Sequence, residues 1–175
     1  MKRKVILSNV IFLVLILSFT ISAAAQWNIE IDEDAMTGEK VAYAISSRVK
    51  ATEQMDFPYS DVEAWLGIGN DGENEWVYLG FSTSPNLSDT TTKDSYNEIE
   101  TRIRWNEDEI EEVLLTQDWG AKFLHFRDYE YIISKIENSN KLLVELNWYG
   151  EGSVYFNFSL EGSSAAIDEI RSELE

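Results

Sequence analysis

Cysteine is absent from all 175 residues. That excludes disulfide staples, a Cys–His dyad and any thiolate metal site. Histidine occurs once, as His125, so a Ser–His–Asp triad has a single candidate base, and no Gly-x-Ser-x-Gly elbow accompanies it. Proline occurs twice, at Pro58 and Pro85, and each removes an N–H from any ladder it meets. Positive charge is scarce: 14 Lys and Arg stand against 32 Asp and Glu, a net −18. A surface of that sign repels phosphate backbones and anionic bilayers, which argues against nucleic-acid partners and membrane-surface binding. It suits solubility in a salty medium, or a basic partner.

The long apolar run is confined to the N-terminus. Lys2, Arg3 and Lys4 precede the apolar stretch Val5–Ile21, and Ser22-Ala23-Ala24-Ala25 supplies small residues before Gln26. This is the layout of a secretory signal peptide over residues 1–25, with an uncleaved anchor as the alternative. No cysteine follows the junction, so a lipid-anchored form is not expected. Cleavage removes three basic residues and takes the charge from −18 to −21. The reading is an exported protein, periplasmic or extracellular, with residues 26–175 as one β-rich domain. That length suffices for a substantial core. With no disulfides the core must rest on packing, and six Trp, eight Tyr and eight Phe can supply it.

The chain is organised around Ala64–Ser82. Two apolar-rich runs, Trp65–Ile68 and Trp76–Phe81, flank Asn70-Asp71-Gly72, and Asp-Gly between such runs is a strong hairpin signal. Trp65 and Trp76 are expected to face each other across it. Alternation predicts further strands over Trp27–Ile31, Val41–Val49, Ile99–Trp105, Glu112–Thr116 and Ala121–Phe126. In the second of these, Val41, Tyr43, Ile45 and Val49 share one side. A closing hairpin turns at Gly150-Glu151-Gly152, with Leu142, Val144, Leu146 and Trp148 facing one way, then Val154, Phe156, Phe158 and Leu160. Two helices are expected. Asp128 caps one whose apolar stripe is Tyr129, Ile132, Ile133 and Ile136, and Ser163 or Ser164 caps a last one carrying Ile167, Ile170 and Leu174. Ser84–Ser95, polar and nearly free of apolar side chains, is expected to be a mobile surface loop. The fold class is mainly β: an antiparallel β-sandwich or curled sheet with two short helices.

This order of features is similar to the exported type VI secretion-associated VasI/TagO-like proteins. It is carried by Trp27, the Asp34-Ala35-Met36-Thr37 turn, the hairpin Leu66–Phe81 and the strand Arg102-Ile103-Arg104-Trp105 before an acidic turn. Trp119, Phe123–Phe126, the Tyr129–Ile136 helix and the closing hairpin plus helix complete it. That family often has a cysteine at the end of the hairpin strand, where Gly69 stands here, and a second near the C-terminus. The resemblance therefore implies a disulfide-free variant, and an exported accessory or interaction protein without a known catalytic role.

Candidate chemistry is sparse. His125, within Phe123-Leu124-His125-Phe126, reads as a strand-face residue with a structural or surface role. Glu107, Asp108, Glu109, Glu111 and Glu112 read as a solvated rim, and Asn70–Asn74 lacks the spacing of a calcium loop. No catalytic, cofactor-binding or metal-binding residue is nominated, and no cofactor is expected. Trp65, Trp76, Trp119, Trp148, Tyr78 and Tyr149 include rings that could stack on a sugar or peptide, although aromatics at strand spacing more often pack inward. The expected contacts are Trp148, Tyr149, Trp119, Pro85 and Asn86. The first functional expectation is a non-enzymatic domain binding a protein or cell-envelope component. The alternatives are a carbohydrate-binding module using exposed Trp and Tyr, and a hydrolase built on two carboxylates.

Overall fold

Alternating apolar side chains build one antiparallel sheet. The computed structural model describes residues 27–175; the leader expected over 1–25 lies outside the described residues. In chain order the elements are β1 (Asn28–Glu33), β2 (Lys40–Ile45), β3 (Val49–Lys50), β4 (Glu63–Asn70), β5 (Glu75–Phe81), β6 (Thr90–Thr92) and β7 (Tyr96–Trp105). They continue with β8 (Ile110–Asp118), β9 (Phe123–Phe126), α1 (Tyr129–Asn138), β10 (Lys141–Trp148), β11 (Gly152–Ser159) and α2 (Ser163–Ser172). The strand order is β1-β2-β4-β5-β9-β8-β7-β10-β11, with β3 on β4 and β6 on β7. The fold is mainly β, a curled antiparallel sheet with two short helices.

The curl is visible in the core. Phe81 of β5 lies 5.9 Å from Trp148 of β10 and 5.6 Å from Phe156 of β11, ring centre to ring centre, although several strands separate them in the sheet. A single bridge, Ala51 to Phe156, joins the far end of the sheet back to the residue after β3. The sheet stays open, with β1 and β11 at the ends of its strand order. Ile132, Ile133 and Ile136 of α1 and Ile167 and Ile170 of α2 share one apolar cluster with Ala42, Ala44, Leu66 and Ile68. The helices therefore cover the inner face of β1, β2, β4 and β5 and leave the outer face uncovered.

Three expectations need correction. The run Val41–Val49 is not one strand. Ile45 is in register with Gly67 and Val49 with Ala64, so Ser46, Ser47 and Arg48 stand opposite only Trp65 and Leu66. This is a β-bulge, and its buried Ser46 stabilises it: the hydroxyl accepts from the Leu66 N–H (2.9 Å) while the Ser46 N–H donates to the Leu66 carbonyl (2.8 Å). The extra residue reverses the alternation, so Val49 packs inward while Tyr43 and Ile45 face out. Second, Gly162 rather than Ser163 or Ser164 precedes α2, at φ 84°, and the Ser163 hydroxyl donates to the Ile136 carbonyl at the end of α1 (2.8 Å).

Third, Ser84–Ser95 is no mobile loop. Thr90–Thr92 pair with Asn97–Ile99, Leu87 bridges Trp148, and the Ser88 N–H donates to the Asn147 carbonyl at 2.7 Å. Backbone pairing is indifferent to the polar side chains on which the loop expectation rested.

On the outer face of the other half-sheet, Arg102 forks onto Glu145 with bonds of 2.5 and 2.8 Å. That pairing, opposed by burial, holds the Glu145 carboxyl below the usual range. A lowered native value means that the unfolded chain binds the extra proton first. The pair's stability is thus fully present above the ordinary glutamate range and is lost as pH falls through the native value. Arg102→Gln is expected to flatten the acid limb of the thermal-melting temperature against pH between roughly 5 and 3. An acid limb as steep as the parent's would contradict this.

Candidate functional site

The uncovered outer face is set by what the central hairpin places on each side. Inward go Leu66, Ile68, Val77, Leu79 and Phe81, all buried. Outward go Trp65, Gly67 and Gly69 from β4 and Trp76, Tyr78 and Gly80 from β5. The register pairs every outward ring with a glycine: Trp65 with Gly80, Tyr78 with Gly67, Trp76 with Gly69. Trp65 and Trp76 therefore do not face each other, contrary to expectation. They share a face at opposite ends of the hairpin. The turn between them is held by Asp71, whose Oδ1 accepts from the Glu73 and Asn74 N–H groups at 2.9 and 2.7 Å.

Each ring lies directly over its glycine. A Cβ added at Gly67 would sit 2.2 Å from Tyr78 Cζ, at Gly69 2.2 Å from Trp76 Cε2, and at Gly80 2.2 Å from Trp65 Cε2. Only glycine leaves room for a ring at that height. The result is a ladder of three rings at two-residue steps, roughly 13 Å from end to end. Neighbouring strands extend it. Tyr43 of β2 meets Trp76 edge to face at 6.0 Å, and Phe123 of β9 meets Tyr78 at 5.4 Å and Trp65 at 6.4 Å, also edge to face. His125 lies 5.9 Å from the Tyr78 ring. Together they line an open groove of about 690 Å³, bounded by Asn28, Glu30 and Asp32 on β1 and by Ser46, Ser47 and Arg48 at the bulge.

The groove has a charge direction. At the bulge end the Arg48 guanidinium stands 4.6 Å over the Trp65 ring and contacts Glu63 at 3.4 Å. At the β1 end stand two exposed carboxylates, Glu30 and Asp32, the former accepting from the Asn28 amide at 2.9 Å. Burial pushes the Tyr78 hydroxyl up to about 12, with Tyr43 and Glu30 adding to it and a bond from Trp65 opposing. Burial also raises Tyr43, helped by Asp32. His125 is lowered by desolvation against the pull of Asp118, which favours the neutral ring at pH 7. Among the described residues no group of three His, Asp or Glu is placed to hold a metal.

The five expected contacts fall elsewhere, and none lines this groove. Trp148 and Pro85 are buried, which corrects their nomination. Trp148 sits on the inward side of β10, against Tyr59, Phe81 and Phe156. Pro85 is tucked under its own segment, where its carbonyl accepts from the Gln117 amide at 3.2 Å. Trp119 (61 % exposed) and Tyr149 (66 %) stand on turns, and Asn86 is exposed, its carbonyl accepting from the Tyr149 N–H at 2.8 Å. Missing from the expected contacts were Trp65, Trp76, Tyr78, Tyr43, Phe123, His125 and the three glycines. The signal for the hairpin rings and their glycines was present in Trp65-x-Gly67-x-Gly69 and Trp76-x-Tyr78-x-Gly80, which alternate with aliphatic positions. Compared with known proteins, the chain matches no family model, no curated protein and no solved structure.

Proposed function

We propose that this chain is an exported, non-catalytic binding domain whose ligand face is the aromatic groove and whose ligand is a carbohydrate. The observation that carries the reading is the ring ladder on Gly69, Gly67 and Gly80. Trp76, half-buried and seated on Gly69, turns a π face outward, which is the surface that the C–H face of a pyranose stacks on, while Tyr78 is buried beneath its neighbours and Arg48 covers Trp65. The groove runs roughly 13 Å from Trp65 to Trp76, a length that suits an oligosaccharide rather than a single sugar. The carboxylates, the Asn28 amide and the Ser47 hydroxyl on the rim supply the polar groups that fix orientation. Glu30 and Asp32 stand two residues apart on one strand, hence side by side on one wall. A glycosidase pair flanks the scissile bond from opposite sides, so the arrangement favours binding over hydrolysis.

Calorimetric titration with a panel of neutral and amino-sugar oligosaccharides tests this. Trp76→Ala is expected to weaken binding about 10-fold, equivalent to ~1.4 kcal/mol. If the parent protein binds no member of the panel, the carbohydrate reading falls. The second reading, a protein partner, is favoured by exposed Trp119 and Tyr149 on two turns that lean on the same segment, through Ser95 and Asn86. The likeness to VasI/TagO-like proteins points the same way. Trp119→Ala with Tyr149→Ala would leave sugar binding intact and abolish capture of such a partner.

A further inference from the structure

We infer that the carbohydrate taken by this groove carries free amino groups, and that Glu30 and Asp32 receive the ammonium at the Trp76 end. The inference rests on the carbohydrate reading above and adds its chemical class. Four strands bring the parts into one transverse row: Glu30 is in register with Tyr43, Tyr43 with Gly69, and Gly69 with Trp76. Carboxylate, phenol and indole thus lie side by side on one face. The edge-to-face contact of Tyr43 and Trp76, at 78°, makes a corner of two π surfaces, and the register sets Glu30 next to Tyr43. That is the combination that holds an ammonium: ring quadrupoles below and a formal negative charge beside it.

The groove already shows a cation in such a place. At its other end the chain's own Arg48 sits over Trp65. Trp76 has no corresponding cation: the only guanidinium lining the groove is the one committed to Trp65 and Glu63. No ion pair among the described residues engages Glu30 or Asp32. The negative field of these two groups reaches the rings, since Asp32 helps to raise Tyr43 and Glu30 helps to raise Tyr78. The net charge of −18 repels glycans bearing uronates or sulfates and draws cationic ones. A de-N-acetylated amino-sugar chain answers all of this. A pyranose face stacks on Trp76, and the ammonium groups meet the β1 wall.

The test is calorimetric titration of the whole mature chain with an oligomer of glucosamine and with its fully N-acetylated counterpart, at a mildly acidic pH where the sugar amine is protonated. The free-amine oligomer is expected to bind at least 10-fold more tightly at low salt, with the margin shrinking as salt rises. Glu30→Gln with Asp32→Asn should weaken the free-amine oligomer about 10-fold more than the acetylated one and so erase the margin. Both side chains are exposed, and an unchanged circular dichroism spectrum and melting temperature would verify folding. Equal affinity for the two oligomers, or preference for the acetylated one, overturns this inference and leaves the carbohydrate reading standing. Oligolysine competing as well as the amino sugar would show charge alone at work and would also overturn it. If neither oligomer nor any neutral sugar binds, the carbohydrate reading fails and this inference with it.

Discussion

Trp148→Ala is expected to cost about 3–5 kcal/mol, the range for deleting a large buried ring. Natural domains have about 5–15 kcal/mol in total, so much of the population would unfold at moderate temperature. The reason is where the ring sits. Trp148 has no exposed surface and touches Tyr59, Phe81 and Phe156, which come from the loop before β4, from β5 and from β11. It therefore plugs the place where the sheet curls back on itself, and the rims there cannot collapse onto the void without breaking strand pairing. Trp148→Phe separates volume from polarity. The Trp148 indole N–H is buried with no hydrogen-bond partner, and an orphaned donor costs about 1–3 kcal/mol. Phenylalanine removes the donor and keeps a ring against Phe81. Its loss should be less than half that of alanine. Urea midpoints of the three proteins decide it, and equal losses for Phe and Ala would mean that the N–H is satisfied after all.

Much of the architecture could be read from local pattern. Leu142 to Trp148 and Val154 to Leu160 alternate without interruption, and both runs form strands whose alternate residues are buried. Ile132, Ile133 and Ile136 recur at helical spacing and are the buried residues of α1. What escaped was set by contacts distant in the chain. The bulge at Ser46 depends on a hydroxyl meeting Leu66, twenty residues on, and nothing within Val41–Val49 announces it. Thr90–Thr92 form a strand because the stretch of β7 that β10 does not pair offers partners, not because of their own side chains. The groove was half legible. Trp65, Tyr78 and Trp76 stand out in the sequence as candidate exposed rings, but their side depends on whether glycine or a side chain stands opposite, and that is a property of register. Trp148 and Tyr149 show the converse: alternation says that one of the two is exposed, and the closing hairpin decides which.

Gly67→Ala is expected to destabilise the protein by about 1–3 kcal/mol, the cost of overpacking, and to disrupt the floor of the groove at the centre of the ladder. The sign is not trivial. In an ordinary strand, glycine to alanine stabilises, because alanine narrows the unfolded ensemble and its backbone geometry fits. Gly67 has no positive φ, so backbone strain does not enter. What enters is the Tyr78 ring, with Cζ, Oη and Cε1 at 2.2, 2.5 and 2.6 Å from the added carbon. The ring cannot slide aside, since Phe123 closes one flank at 5.4 Å and His125 stands at 5.9 Å. It must lift off the sheet and lose its burial. A double-mutant cycle with Tyr78→Ala isolates this effect. With the tyrosine truncated, the same Gly67→Ala change should become neutral or mildly stabilising, so that the sign of the glycine substitution reverses with the ring across the strand. Gly150→Ala is the control. Nothing lies within 4 Å of its added carbon, but φ is +86°, so its cost should be unchanged by Tyr78→Ala. If Gly67→Ala destabilises equally in both backgrounds, the ring is not seated on the glycine, and the flat ladder on which the groove's chemistry depends is not there.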